Sequence, residues 1–264
     1  MSKIKEKAIV ISQECIATDI YSMWIRTDIA KEAKCGQFIN IYTKDSSKLL
    51  PRPISICEIE KDSLRIVYRV VGAGTAEFVG YSAGDDIEIM GPLGNGFPIK
   101  QENNAGGVIL IGGGIGVPPM LETAKQLVSL WGNENEMPEI VLGYRNDELF
   151  LIDEFKKTGN VHIATDDGSV GTKGTVIDAI LEQGVMGKVI YACGPKPMLK
   201  AIKDYAASKG ITAWISMEER MACGVGACLG CVCKTTKVDD HSKVMNARVC
   251  VDGPVFNAEE VDLS

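Results

Sequence analysis

The sequence has no long apolar segment and no excess of positive charge. No run approaches the roughly 18 apolar residues that a membrane-spanning helix needs, and AIVI near the N-terminus is too short for the core of a signal peptide. The formal net charge of −7 at pH 7 argues against nucleic acid or an anionic membrane as the main partner. We therefore expect a cytoplasmic protein.

The composition is that of a globular protein, with 45% hydrophobic and 24% charged residues. The 264 residues suffice for two modest domains and an appendage, at roughly 100–200 residues per domain. Of the nine cysteines, Cys15, Cys35, Cys57 and Cys193 stand singly among apolar neighbours. In a reducing compartment such cysteines are usually small buried side chains, which we expect for the first three.

The pattern of apolar and turn-forming residues divides the chain into three parts. Residues 1–101 contain short runs rich in β-forming residues, which predict an antiparallel β-barrel or sandwich. Residues 102–214 alternate apolar strands with helices, starting with GGVILIGGGIG and VPPMLETAKQLVSL and including LFLIDEFKKTG as a helix, which predicts a parallel α/β sheet. Residues 215–264 are rich in turns and carry the remaining cysteines.

A glycine turn, LIGGGIGVPPM (110–120), ends the first strand of the α/β part and opens a helix. Glycines let a ligand approach the backbone, and free N–H groups at a helix start attract phosphate. The turn departs from G-x-G-x-x-G, and no acidic residue ends the second strand to mark a ribose site. Pyrophosphate binding is favoured over tight packing alone. Cys193, in CGP at the carboxyl end of the fourth strand, lies either beside a nicotinamide or in a structural position.

Two arginines in strand-like, otherwise apolar surroundings, Arg52 in RPIS and Arg69 in IVYRVVGAGT, suggest an anionic ligand, and the GAGT turn offers N–H groups and a hydroxyl to a phosphate. With the glycine turn and CGP, these motifs resemble the ferredoxin–NADP reductase superfamily. The resemblance implies an FAD site and an NAD(P)H site. The FAD residues would be Arg52, Pro53, Ile54, Ser55, Val67, Tyr68, Arg69, Gly74 and Thr75, and the NAD residues Gly112, Gly113, Gly114, Gly116, Cys193, Gly194 and Pro195.

The stretch ACGVGACLGCVC (222–233) places Cys223, Cys228 and Cys231 in a C-x4-C-x2-C pattern, with Cys250 further along. This spacing is that of plant-type [2Fe–2S] ligation, in which a glycine-rich loop wraps the cluster. Zinc and a redox disulfide are the alternatives, but neither His162 nor His241 has ligand spacing to the cysteines. The spacing alone does not decide whether Cys233 is a ligand.

The reductase motifs followed by MACGVGACLGCVC and RVCVDGPVF closely resemble the electron-transfer subunits of type B dihydroorotate dehydrogenases. The resemblance implies a [2Fe–2S] cluster on Cys223, Cys228, Cys231 and Cys250, with Cys233 as a neighbour. It also implies an FMN-containing catalytic partner subunit, with two copies of each chain, in pyrimidine biosynthesis. Electrons from dihydroorotate would pass through the cluster and FAD to NAD⁺. An exposed cluster-bearing tail is where the partner would dock.

Two rival functions remain. One is a flavin and iron–sulfur subunit of another complex, such as a ferredoxin–NADP transhydrogenase, a sulfide dehydrogenase or a hydrogenase. The other is a zinc-stabilised nucleotide-binding module without enzymatic activity. For the coenzyme, the sequence favours NAD over NADP, since Asp147 and Glu148 beside Arg145 would repel a 2′-phosphate.

Overall fold

The computed structural model describes residues 3–99, 107–132, 137–238 and 243–264. It contains a closed barrel, a seven-stranded sheet and a two-stranded sheet. The three-part fold expected from the sequence, with an N-terminal antiparallel barrel, an α/β part and a C-terminal cysteine-rich part, is therefore confirmed. His241 lies outside the described residues.

The barrel is antiparallel throughout, with the strand order β1-β2-β5-β4-β3-β6. Alternate side chains of its strands point inward, and Ile25, Ile39 and Ile66 are completely buried. A short helix, α1 (Ala73–Phe78), follows the fifth strand and buries Phe78 against the barrel core. The strands are β1 (Ile4–Ala17), β2 (Ile20–Arg26), β3 (Phe38–Tyr42), β4 (Arg52–Ile59), β5 (Ser63–Arg69) and β6 (Asp86–Leu93).

The seven-stranded sheet has the order β10-β9-β8-β7-β11-β12-β15. Its first six strands are parallel, and the last runs antiparallel to β12. The strands are β7 (Val108–Gly113), β8 (Glu139–Tyr144), β9 (Asn160–Thr165), β10 (Thr172–Lys173), β11 (Val189–Cys193), β12 (Thr212–Ser216) and β15 (Val255–Asn257). The helices are α2 (Pro118–Trp131), α3 (Ile152–Phe155), α4 (Val176–Glu182) and α5 (Lys196–Lys209).

Two details of this part differ from the prediction. The helix expected over LFLIDEFKKTG shortens to α3, because Leu151 adopts a left-handed backbone conformation with φ of 65°. The preceding Phe150 instead packs edge-on against Tyr144, with ring centroids 5.3 Å apart. Strand β15 comes from the cysteine-rich part and extends the sheet of the α/β part, which the sequence pattern did not indicate.

The cysteine-rich part has one small sheet, formed by β13 (Val232–Lys234) and β14 (Asn246–Arg248). Its buried residues share one hydrophobic core with the α/β sheet and with two barrel residues, Phe38 and Leu93. The three parts of the chain therefore meet at one place.

The single cysteines follow the prediction with one exception. Cys35 and Cys57 are buried, as expected, but Cys15 is exposed. The prediction for Cys15 was wrong because β1 is long: beyond Val10 its side chains leave the barrel core, and Cys15 lies opposite Tyr21, next to the turn that joins β1 to β2. In the described ranges, no helix is long and apolar enough to cross a membrane.

Candidate functional site

A cavity of 670 Å³ opens between the barrel, the end of the α/β sheet and the start of the cysteine-rich part. Its walls include all nine residues that the resemblance assigned to FAD, which are Arg52, Pro53, Ile54, Ser55, Val67, Tyr68, Arg69, Gly74 and Thr75. They come from β4, β5 and α1, which are separate segments of sequence that the barrel closure brings together. The sequence motifs thus converge on one cavity, which we call the barrel cavity.

Arg52 lies against the first turn of α1. A Cβ atom on Gly74 would stand only 2.0 Å from Nε of Arg52, so a glycine is required for the guanidinium to lie there. Thr75 closes the preceding turn, since its hydroxyl oxygen accepts hydrogen bonds from the N–H groups of Val71 at 3.0 Å and Gly72 at 3.3 Å. Together with Arg69, this corner is positively charged and suits an anionic group such as a pyrophosphate.

A second cavity of 800 Å³, which we call the sheet cavity, lies over the carboxyl ends of the parallel strands. Five of the residues assigned to NAD line it, namely Gly113, Gly114, Gly116, Gly194 and Pro195. Gly112 is not among its lining residues: it packs against the backbone of Val117, where a Cβ atom would come within 2.9 Å. Cys193 lines the barrel cavity instead.

The two cavities share three lining residues: Arg69, Ile115 and Glu218. Glu218 is accessible from both, yet burial raises the pKa of its carboxyl group, and only the charge of Arg69 opposes this shift. Burial also raises the pKa of the neighbouring Cys193 to about 12, with Glu218 adding to the effect, so Cys193 is a neutral thiol at physiological pH. Two ligands held in these cavities would meet at this junction.

Sequence reasoning missed Glu218, although a signal was present. The residue follows β12 by two positions, and polar side chains just beyond the carboxyl ends of parallel strands usually face the ligand site. The sheet cavity is also lined by Arg145, Asn146 and Glu148, but Asp147 is not among its lining residues.

Four cysteines of the C-terminal part form two pairs. In the first, the side chain of Cys228 is a close electrostatic neighbour of the Cys223 thiol. Burial alone would raise the pKa of Cys223, but the N–H groups of Val225 and Cys228, together with the Cys228 side chain, lower it to about 6. In the second, the thiols of Cys231 and Cys250 are close electrostatic neighbours. The N–H of Cys250 also donates to Sγ of Cys231 at 3.4 Å.

The loop that holds the first pair can curl because two of its glycines adopt positive φ angles, +69° at Gly224 and +85° at Gly226. A Cβ atom at either glycine would collide with a neighbour, 2.4 Å from Nδ2 of Asn40 and 2.6 Å from Cγ2 of Val251 respectively. In this loop the N–H of Val225 donates to Sγ of Cys223 and the N–H of Gly230 to Sγ of Cys228, both at 3.4 Å. Hydrogen bonds to the sulfurs of this kind tune iron–sulfur clusters.

Cys233 belongs to neither pair. It is buried on β13 opposite Ala247, and burial raises the pKa of its thiol to about 11. In the part of the chain that the structure describes, no three Cys, His, Asp or Glu side chains are placed to hold a single metal ion. Two pairs of thiols suit two iron atoms, each bound by two cysteines, better than one tetrahedral zinc.

The structure combines a flavin-type barrel with a nucleotide-binding sheet that meets it at a shared junction, and it adds a paired-cysteine loop. These features define an NAD-linked, iron–sulfur-containing electron-transfer protein. Two family models agree with this class. Residues 218–262 match the iron–sulfur cluster binding domain of dihydroorotate dehydrogenase B, and residues 110–204 match an oxidoreductase NAD-binding domain. The expectation of FAD, a [2Fe–2S] cluster and NAD as cofactors is confirmed by these matches and by the reductase fold.

Curated relatives identify the family to which the chain belongs within this class. The chain is 44% identical over 257 residues to the "Dihydroorotate dehydrogenase B (NAD(+)), electron transfer subunit" of Fusobacterium nucleatum, covering 94% of this chain and 95% of the relative. It is 41% identical over 263 residues to the same subunit of Streptococcus mutans, with 98% and 99% covered. The chain belongs to the family of dihydroorotate dehydrogenase B electron transfer subunits. As the word subunit implies, such a chain works beside a catalytic partner.

Solved structures support the fold. An NADH-dependent reduced ferredoxin-NADP oxidoreductase superposes with a TM-score of 0.84 at 32% identity, covering 97% of this chain and 90% of that one. A ferredoxin NADP⁺ reductase from Neisseria gonorrhoeae superposes with a TM-score of 0.61 at 15% identity, covering 78% and 92%. The rival function in another complex is not favoured, since the curated relatives described above have higher identity and are dihydroorotate dehydrogenase subunits.

Proposed function

We propose that this chain conducts electrons between NAD⁺ and a catalytic subunit that oxidises dihydroorotate to orotate. The observation that supports it most strongly is the junction between the two cavities. Arg69, Ile115 and Glu218 belong to both walls, so the two cavities adjoin and their ligands would lie side by side. When bound, FAD would exchange a hydride with nicotinamide and single electrons with the [2Fe–2S] cluster.

In this proposal the barrel cavity holds FAD. Arg52 and Arg69 bring two positive charges to the ligand, and Thr75 fixes the turn of α1 that faces it. Tyr68 forms part of the apolar wall and is held by a hydrogen bond from its hydroxyl to Oε1 of Gln13 at 2.9 Å. Ser55 lies on the same wall.

The sheet cavity would hold NAD. Gly113, Gly114 and Gly116 let the pyrophosphate approach the backbone where β7 turns into α2. Gly194 and Pro195 continue the wall at the end of β11, and Gly112 supports the turn from behind by its tight packing. Cys193 lines the barrel cavity at the end of β11, which supports a position for its thiol near the proposed contact between nicotinamide and flavin.

Cys223, Cys228, Cys231 and Cys250 are the proposed cluster ligands, two for each iron, and Cys233 is a buried neighbour. The cysteine loop adjoins the barrel cavity. Met221, two residues before Cys223, lines the barrel cavity and packs on the core that contains the buried cysteines.

The cluster loop also offers a surface to the partner subunit. Cys228 is exposed, and the apolar side chains around the cysteine-rich part are unusually accessible: Leu229 is 64% and Met245 57% exposed. We propose that the FMN-containing catalytic subunit docks here, with two copies of each chain in the assembly. A cytoplasmic location and a place in pyrimidine biosynthesis complete the proposal.

The test compares the purified chain with the chain plus its catalytic subunit. Alone, the chain should pass electrons from NADH to an artificial acceptor such as ferricyanide, but dihydroorotate should not reduce it. With the catalytic subunit, dihydroorotate should reduce NAD⁺. Rapid oxidation of dihydroorotate by the chain alone would contradict the assignment, because the electron-transfer role requires that the substrate site lie on the partner.

A further inference from the structure

Asn40 connects the barrel to the cysteine loop. It lies on β3, is completely buried, and its Nδ2 donates a hydrogen bond to the carbonyl oxygen of Cys223 at 3.3 Å. Its other amide atom, Oδ1, is buried without a hydrogen-bond partner among the described residues. Gly224 makes the contact possible, because a Cβ atom there would lie 2.4 Å from Nδ2.

The orientation of this amide is fixed by the carbonyl that it faces. If the amide were turned round, Oδ1 would point at the oxygen of Cys223, and two acceptors would repel each other. Nδ2 must therefore face Cys223, which forces Oδ1 into a place without a donor. An unpaired buried acceptor destabilises a protein, and a leucine of similar size would fill the space without one. The stability of the barrel does not account for an amide at this position.

The location of Asn40, between the barrel cavity and the cysteine loop, explains the amide better. Phe38, two residues earlier on the same face of β3, lines the barrel cavity. Cys223 is the first of the paired thiols. Asn40 thus lies between the wall of the flavin cavity and a proposed cluster ligand, and it bonds the backbone of that ligand directly.

We propose that Asn40 is a positioning residue for electron transfer between FAD and the cluster. Its hydrogen bond would hold Cys223, and with it the cluster, at a fixed distance from the wall of the barrel cavity. Asn40 itself takes up no electron and no proton; the electron passes from one cofactor to the other. This inference rests on the proposed function, since it requires that the two cofactors occupy these sites.

The test replaces Asn40 with leucine and compares it with Gln37→Leu. Gln37 is a matched control, because it is another buried amide of the barrel, and its side chain bonds Gly94 and Lys34 rather than the cysteine loop. The first readout is the loss of the cluster absorbance under an iron chelator. Residues that orient metal ligands typically change metal affinity about 10–100-fold, so Asn40→Leu should speed this loss at least about tenfold over Gln37→Leu.

The second readout is stopped-flow reduction by NADH, followed at flavin and cluster wavelengths. In Asn40→Leu, flavin reduction should keep the wild-type rate, while cluster reduction should slow about tenfold or more. Thermal unfolding should change little, since the variant removes the unpaired Oδ1 but leaves the carbonyl oxygen of Cys223 without its donor. If Asn40→Leu does not fold, Asn40→Ser replaces it in the test. The shorter side chain of serine cannot reach the carbonyl of Cys223, so this variant should also lose the cluster faster and reduce it more slowly.

Wild-type rates of chelation and of cluster reduction in the Asn40 variant would overturn the inference, as would equal changes in Gln37→Leu. A failure of the proposed function looks different. In that case the wild-type chain itself would lack the flavin or the cluster, or NADH would not reduce the flavin, whichever residue stands at position 40.

Discussion

Thr18 donates two hydrogen bonds to the same carboxylate oxygen of Glu148, one from its hydroxyl at 2.6 Å and one from its N–H at 3.0 Å. Thr18 belongs to the turn between β1 and β2 of the barrel, and Glu148 to the loop after β8 of the sheet. Both line the sheet cavity. The two bonds lower the pKa of Glu148, so it remains anionic at neutral pH and is held at the cavity wall.

This arrangement predicts that Glu148 contributes to the preference for NAD. Glu148→Gln should improve the kcat/KM for NADPH relative to NADH about fivefold, because the variant no longer sets a carboxylate against the 2′-phosphate. Steady-state flavin reduction by each coenzyme measures the ratio. Asp147→Asn is the control and should change little, since Asp147 does not line the cavity. A larger shift in Asp147→Asn than in Glu148→Gln would contradict the prediction.

The paired cysteines predict different results for neighbouring serine variants. Cys233→Ser should retain the visible spectrum and the iron content of the wild-type chain, since Cys233 lies outside both pairs. Cys231→Ser should lose them, since Cys231 is half of a pair. Iron and acid-labile sulfide assays with the absorbance between about 400 and 550 nm provide the comparison. Loss of the cluster in Cys233→Ser, with a normal circular dichroism spectrum, would make Cys233 a ligand.

Gln13 connects the end of α1 to Tyr68 in the wall of the barrel cavity by hydrogen bonds. Its Nε2 donates to the carbonyl oxygens of Phe78, Val79 and Tyr81 at 3.0, 3.1 and 3.0 Å, and its Oε1 accepts from the hydroxyl of Tyr68. Gln13→Leu leaves these groups without their partner, at a cost of about 1–3 kcal/mol. We expect FAD to bind about tenfold more weakly, as measured by flavin fluorescence.

The neighbouring exposed Ser12 provides the control for Gln13. Ser12→Ala should bind FAD like the wild-type chain. Tyr68→Phe removes only one of the four hydrogen bonds and should weaken binding less than Gln13→Leu does. Wild-type FAD affinity in Gln13→Leu would show that α1 and Tyr68 are positioned without this amide.

Glu122 predicts a pH dependence of stability at the contact between barrel and sheet. It lies on α2, and its Oε2 accepts a hydrogen bond from the N–H of Ile59 on β4 at 2.9 Å. Burial raises its pKa. Because the folded chain binds this proton more tightly than the unfolded chain, the group favours folding at low pH and costs stability as the pH rises through the folded pKa.

In Glu122→Gln this cost disappears. Relative to the wild-type chain, the thermal midpoint of the variant should therefore rise between about pH 4 and pH 7. Glu60→Gln, an exposed position nearby, should show no such trend. Parallel midpoints for Glu122→Gln and the wild type across this range would contradict the account.

The sequence predicted most of the fold because its periodicities are strong and local. The β-rich first part, the alternation of strands and helices, and the cysteine spacing each need only a short window of residues. The flavin motif of Arg52 and Ser55 was visible for the same reason, and it lines the expected cavity.

What the sequence did not indicate depends on contacts between distant segments. Asn40 and Cys223 lie 183 positions apart, and Thr18 and Glu148 lie 130 apart, so neither pairing leaves a local pattern. Strand β15 joined a sheet of another part of the chain for the same reason. Cys15 was misjudged because apolar neighbours do not reveal where a long strand leaves the core.

The central claim is that one chain joins a two-electron site to a one-electron site. An anaerobic titration of the purified chain with NADH, followed by visible absorbance and electron paramagnetic resonance, tests it most directly. The account predicts bleaching of both flavin and cluster bands, an uptake of about 1.5 NADH per chain, and the signal of a reduced [2Fe–2S] cluster. Uptake of about one NADH, with flavin bleaching and no cluster signal, would contradict it.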